Sequence, residues 1–119
     1  MYREIKVGKE SIPMKATAAT PLRYRHVFMQ DVITEFTKVN ENYGLAIDTI
    51  SKLAFIMAKT ADPTADLTAL NMDAYISWLE QFEPFDITNA ANDIVDLYLG
   101  NTEGLSEVKK KARGAVKGN

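Results

Sequence analysis

The order of the patterns in residues 5–36 most constrains the fold of this chain. Two short segments of alternating apolar and polar residues meet at Gly8-Lys9. Glycine in the first turn position suits a type II′ hairpin, because it adopts a positive φ without steric cost. A helix start with proline and then only helix-period patterns follow. The sequence therefore predicts a mainly α domain of about four helices with an N-terminal β-hairpin over about residues 2–17.

The predicted register of the hairpin follows from its two-residue loop, which pairs Val7 with Glu10. In that register the apolar side chains share one face, namely Ile5, Val7, Ile12 and Met14. Pro13 cannot donate a ladder hydrogen bond, so we expect its strand to lie at a sheet edge. Because an isolated hairpin is only marginally stable in water, its apolar face should pack on helices.

A long first helix is predicted over residues 21–39, with Thr20 as its cap and Pro21 in its first position. Its stripe has a seven-residue spacing: Leu22, Met29, Phe36 and Tyr43. A second helix over residues 45–60 is apolar on nearly all sides and should be the most buried. We expect Asp62-Pro63 to end it, because proline cannot continue the backbone ladder.

Two further helices are predicted, one over residues 71–81 and one from Asp86, as its cap, to Gly100. The expected core face of the first comprises Met72, Tyr75, Ile76, Leu79 and Phe82, and that of the second comprises Ile87, Ala90, Ala91, Ile94, Leu97 and Tyr98. We take residues 1–100 as a single domain and expect residues 101–119 to form a flexible tail.

Charge is unevenly distributed along the chain. Residues 1–100 carry a net charge of −5 and residues 101–119 a net charge of +3. An acidic body with a basic tail argues against a domain that follows phosphates over its whole surface, so we do not expect nucleic acid as a partner. There is no cysteine, and the N-terminus shows no apolar signal region, so we expect a soluble cytoplasmic protein.

No catalytic or metal motif stands out. His26 is the only histidine, and two pairs of carboxylates have a three-residue spacing: Asp93 with Asp96, and Glu80 with Glu83. Such pairs can share a helix face and bind a cation, but they are more often solvated. We therefore expect no enzymatic activity, no cofactor and no metal site.

Two clusters are candidate protein-interaction sites, comprising Arg23, Tyr24 and Arg25 in the first helix, and Trp78, Phe82 and Phe85 around Pro84. Arginine, tyrosine and tryptophan are the residues from which interface anchors are made. The alternative for the first cluster is solvated arginines with a tyrosine at the rim of the core. For the second cluster the alternative is ordinary core packing.

Several segments, in this order, resemble phage tail assembly chaperones from long, non-contractile-tailed phages of Gram-positive hosts. They are IKVGK at 5–9, KAT to TPLRYR within 15–25, residues 28–33, LAFIMAK at 53–59, and WLEQF with FDI within 78–87. The basic end that follows Leu99-Gly100-Asn101 is also similar. The resemblance covers nearly all of residues 3–113.

The resemblance implies a non-enzymatic chaperone that acts in the host cytoplasm and is absent from the mature virion. Its implied partners are the tape measure protein, which it would coat, and the tail tube protein, which it would help to recruit. Self-association along one client would suit that role. The alternative is a generic α-helical protein-interaction domain, or a regulatory domain that associates with nucleic acid through its tail.

Overall fold

The computed structural model describes residues 1–37 and 43–100. A hairpin is followed only by helices, so the predicted mainly α fold is confirmed. In chain order the elements are β1 (Tyr2–Val7), β2 (Glu10–Lys15), α1 (Thr20–Phe28), α2 (Val32–Thr37), α3 (Tyr43–Ala61), a single 3-10 turn (Leu67–Ala69), α4 (Met72–Leu79) and α5 (Asp86–Leu99). The predicted tail at 101–119 and the end of the first predicted helix at 38–39 lie outside the described residues.

The hairpin has the predicted register, with Val7 opposite Glu10. Gly8 has a φ of 64°, as the predicted turn requires. Met1 and Ala16 exchange both backbone hydrogen bonds, at 2.6 and 2.7 Å. Because bonded and non-bonded pairs alternate along an antiparallel ladder, Pro13 occupies a non-bonded position. At such a position the backbone N–H points away from the partner strand β1, so proline, which has no N–H, costs the hairpin no hydrogen bond.

The prediction of one continuous helix over 21–39 is wrong, because two helices, α1 and α2, cover the described part of that range. Met29 ends α1 in the left-handed region, with φ at 57°, and its N–H donates to the Arg25 carbonyl oxygen at 2.8 Å. The Asp31 carboxylate then accepts from the Thr34 N–H at 3.0 Å. A carboxylate on the free N–H groups of a new helix start stabilises that start, so the chain bends here.

Thr20 is not the cap that the sequence predicted. It is the first residue of α1, and its hydroxyl accepts from the Thr17 N–H at 2.9 Å instead of from an amide inside the helix. Ala19 takes the cap position without a side-chain bond, and Pro21 lies in the first turn as predicted. The Thr20 side chain therefore fixes the loop that connects β2 to α1.

Helix α3 lies at the centre of the domain, as predicted. Every residue from 51 to 58 is buried, and the apolar face of the hairpin packs on α3 through β2 and on α5 through β1. Lys52 is only 8% exposed. Its ammonium donates to the Asp48 carboxylate at 2.9 Å and to the Gln30 side-chain oxygen at 3.0 Å. This lysine therefore ties the bend between α1 and α2 to the central helix.

A chain of ring contacts joins α1, α3 and α4. Neighbouring ring centroids lie 5.0 to 5.8 Å apart along the series Tyr24, Phe28, Tyr75, Phe55, Trp78 and Phe82. Edge-to-face pairs at such distances add to the free energy of burial. The predicted core face of α4 is therefore partly wrong: Tyr75 and Trp78 are buried, whereas Met72 and Ile76 are exposed.

Helix α5 buries five of its six predicted core residues, whereas Tyr98 is half-buried and the buried Val95 and Leu99 were not predicted. The helix ends at Gly100, whose φ of 56° fits its predicted role. Asp86 does not cap this helix. Its carboxylate accepts from the Glu83 N–H at 2.9 Å, and Phe85 takes the cap position. The same carboxylate lies where a Cβ on Gly8 would be, so Gly8 allows the hairpin turn to approach α5 closely.

Candidate functional site

A groove follows β2 between the hairpin and the carboxyl-terminal ends of α3 and α4. It comprises two adjoining cavities of about 360 and 310 Å³, and Gln81 lines both. The first is lined mainly by Ile12, Pro13, Ala58, Ala61, Pro63 and Trp78, and the second mainly by Lys9, Glu10, Phe82, Glu83 and Asp86. We name the two together the hairpin groove.

Trp78 is placed in this groove by local contacts at both ends of α4. At the start of the helix, the Asn71 side chain accepts from the Ala74 N–H at 2.9 Å. At its end, the Gln81 amide donates to the Trp78 carbonyl oxygen at 2.9 Å. The Trp78 ring packs edge-to-face on Phe55, and it is 8% exposed. The indole is thus a rigid part of the core that also forms one wall of a cavity.

The two cavities differ in polarity. Apart from Lys59 and Asp62, the side chains that wall the first are apolar or uncharged. The second contains three carboxylates, from Glu10, Glu83 and Asp86, against the single ammonium of Lys9. The groove therefore offers a cavity with mainly apolar walls and no net charge at one end, and a net negative charge at the other.

The other members of the aromatic candidate cluster lie at different depths. Phe82 is half-buried against Trp78 and lines the second cavity, whereas Phe85 is 71% exposed and lines neither. The structure thus brings Trp78 and Phe82 together in one groove and leaves Phe85 on the adjoining surface.

The cluster at the start of α1 is not brought together as a surface. Tyr24 is fully buried, which removes it as a surface contact in this fold, and burial raises the pKa of its phenol. The Arg23 guanidinium donates to the Leu67 carbonyl oxygen at 3.5 Å, so it joins α1 to the 3-10 turn. Only Arg25, with the neighbouring His26, is exposed.

The carboxylate pairs form no metal site in the described parts of the chain, where no group of three or more His, Asp or Glu side chains could hold an ion. Asp93 lies 3.5 Å from the Arg3 guanidinium, and Glu80 and Glu83 are exposed. Asp93 therefore contributes to the contact between β1 and α5.

The hairpin side of the groove was not predicted. The sequence pattern marks Ile12 and Pro13 only as strand residues, and Glu10 only as the residue that closes the turn. The signal that could have marked them is the proline in a short edge strand, since such a strand presents one side to whatever lies beside it. Their helical neighbours in the groove come from far along the chain, so no local pattern joins them.

Four more apolar side chains are exposed, although the helical pattern predicts them in the core: Leu22, Met29, Met72 and Ile76. Leu22 and Met29 are 70% and 83% exposed. Exposed large apolar side chains on two helices increase the area that a partner could cover.

None of the helices within 1–37 and 43–100 has both the length and the apolarity that crossing a bilayer requires. Comparison with known proteins found no family model, no curated protein and no solved structure that matches this chain.

Proposed function

We propose that this protein is a non-enzymatic phage tail assembly chaperone, which binds the tape measure protein in the host cytoplasm and assists assembly of the tail tube. The proposal rests on the ordered set of segments that resemble that family. It is supported by a hairpin-and-helix domain whose described surface offers a groove and exposed apolar side chains. The hairpin groove is the structural feature through which we propose that the client binds.

A chaperone that coats a long helical client needs shallow apolar sites and no reacting groups. An amphipathic helix binds by placing side chains from one face into such a groove. The first cavity of the hairpin groove, at about 360 Å³, is large enough for one or two apolar side chains. Its rigid Trp78 wall keeps the entropy cost of binding low, since the side chain is already ordered by the core.

The test is co-expression with a tape measure protein, followed by copurification of the soluble complex. Ala61→Phe should fill the first cavity and abolish copurification, because Ala61 is a half-buried lining residue at the end of α3. Ala69→Phe is the matched control, since Ala69 is exposed and lines neither cavity. Both variants should keep the melting temperature of the wild type within a few degrees.

The proposal fails if the client aggregates equally with and without this protein. It also fails if the two phenylalanine variants lose the client to the same extent, because the groove would then have no part in binding. Assistance to tail tube assembly is measured separately, as the yield of tubes of uniform length when tube protein, client and chaperone are mixed.

A further inference from the structure

The hairpin groove has two chemically different ends, and the distance between them follows from the strand that joins them. Pro13 lines the first cavity and Glu10 lines the second. They lie three positions apart on β2, so they are separated by about 10 Å at ~3.3 Å per strand residue. Measured along β2, the mainly apolar end and the acidic end are therefore about 10 Å apart.

A helix is favoured over an extended strand as the occupant of this groove. Pro13 lies at the outward-facing positions of β2, where an added strand would need a backbone donor that proline lacks. A helix makes no such demand, because its own backbone groups are already paired. A helix covers about 10 Å in about seven residues, at ~1.5 Å per residue.

From these observations we infer that the hairpin groove binds an amphipathic helical segment with a large apolar residue and a lysine or arginine about seven residues apart. The apolar side chain enters the cavity beside Trp78. The cation meets the carboxylates of Glu10, Glu83 and Asp86, whose charge exceeds that of Lys9. This inference rests on the proposed function, because it names the kind of client segment that the groove accepts.

The probe is a synthetic helical peptide of about 18 residues with one leucine and one lysine seven positions apart, titrated against the full-length protein. Trp78 is the only tryptophan, so its fluorescence reports occupation of the first cavity. Moving the lysine by two positions turns it to another side of the helix, because each residue rotates by about 100°. We expect that shift to weaken binding about fivefold at low salt, with a smaller factor at high salt.

Charge reversal in the protein tests the acidic end directly. Glu83→Lys should weaken binding of the leucine–lysine peptide about fivefold at low salt, and the loss should be smaller at high salt, because it neutralises the net negative charge of the second cavity. The structure of the α5 start is kept, because Asp86 bonds to the backbone of Glu83 and not to its side chain. Glu80→Lys is the matched control, since Glu80 is also exposed but lines neither cavity.

Equal effects of the two reversals would overturn the inference, as would a loss of binding on Glu83→Lys that high salt does not reduce. The chain's own basic segment is the rival occupant, tested by replacing Lys109, Lys110 and Lys111 with glutamine in the full chain. A change in Trp78 emission without peptide would assign the groove to that segment and overturn the inference.

If the tape measure protein copurifies while both peptide tests fail, the inference is wrong and the proposed function stands. If the peptide tests succeed but the client does not bind, the proposed function fails instead.

Discussion

Helices α1 and α3 both carry apolar residues at helical spacing, yet they bury them differently. Residues 51–58 of α3 are all buried, so every side of that stretch packs. In α1, Tyr24 and Phe28 are buried, while Leu22 is exposed, as is Met29 of the same predicted stripe just after the helix. Apolar spacing alone therefore does not decide which side of a helix faces the core.

The difference arises from the aromatic contacts that each helix can make. Phe55 in the middle of α3 contacts the rings of Phe28, Tyr75 and Trp78, so it joins three helices. Turning the Tyr24–Phe28 side of α1 inward adds two rings to this chain. Turning Leu22 inward would add one flexible side chain and expose two rings, which bury more area each.

The largest effect should come from the centre of the aromatic chain. Phe55→Ala should lower the free energy of unfolding by about 3–5 kcal/mol, because it removes three ring contacts and leaves a cavity. Urea denaturation followed by circular dichroism measures the loss. Phe85→Ala, at an exposed position, should change it by less than about 0.5 kcal/mol. A small effect of Phe55→Ala would show that the aromatic chain does not hold the helices together.

A pair of variants in α1 tests which of its sides faces the core. Tyr24→Ala should lower the free energy of unfolding by about 3 kcal/mol, whereas Leu22→Ala should leave it within about 0.5 kcal/mol. Both variants introduce alanine into the same helix, so the favourable helix propensity of alanine acts in both. The reverse order in urea denaturation would mean that the Leu22 side of α1, and not the Tyr24 side, faces the core.

Alkaline pH should destabilise the protein through the phenols of the buried Tyr24 and Tyr75 and the half-buried Tyr98. Burial raises the pKa of Tyr24, and it raises the pKa of Tyr75 and of Tyr98 to about 12. Since the pKa of each phenol in the folded state exceeds its unfolded value near 10, its contribution to the free energy of unfolding is fully present below pH 10. That contribution is lost as the pH rises toward the pKa of the folded state. Each phenol should contribute a slope of up to about 1.4 kcal/mol per pH unit.

Tyr24→Phe should reduce that slope by removing one of the phenols. The measurement is the urea midpoint at pH 9, 10 and 11 for the wild type and the variant. Parallel curves for the two proteins would show that the Tyr24 hydroxyl ionises as easily in the folded state as in the unfolded one.

Whether α1 and α2 are separate helices is tested by the sign of the change in unfolding free energy when Asp31 is replaced. Asp31→Ala should destabilise by about 1 kcal/mol if Asp31 starts α2, but it should stabilise if α1 and α2 are one helix, because alanine is the better interior residue. The hydrogen bond from Thr34 holds the pKa of the Asp31 carboxyl below its usual value. The difference from wild type should therefore be present above pH 4 and should fade as pH falls through the lowered pKa.

The smallest effect is expected at the left-handed residue itself. Met29→Gly should raise the free energy of unfolding by about 0.5 kcal/mol, since glycine adopts φ near 57° without the strain of a Cβ. Gln30→Gly, at a residue with no positive φ, is the control and should not stabilise. Destabilisation by Met29→Gly would argue that the chain continues as a helix through this position.

Sequence reasoning succeeded where neighbours along the chain decide the structure. The hairpin register follows from the Gly8 turn, and the end of α5 follows from Gly100. Most of the buried stripe of α5 was also predicted, because its apolar residues recur at helical spacing, although the buried Val95 and Leu99 were not included.

The predictions were wrong where a contact with a residue far along the chain, or a single polar side chain, determines the local structure. Asp31 ends the continuity of the first predicted helix by binding one N–H, although the apolar spacing continues past it. Trp78 faces Phe55, which lies 23 positions earlier, so the inner side of α4 depends on a partner that its own pattern does not show. The hairpin groove combines β2, α3, α4 and the connection to α5, and its shape cannot be read from any one of them.

Pro13 has a consequence for how this protein behaves at high concentration. A two-stranded sheet has open edges, and a row of unpaired backbone groups invites edge-to-edge aggregation between molecules. At the β2 edge the proline interrupts that row, and it does so at a position where the hairpin itself loses no bond. A protein that carries exposed apolar side chains is thus protected from forming β-fibres along this edge.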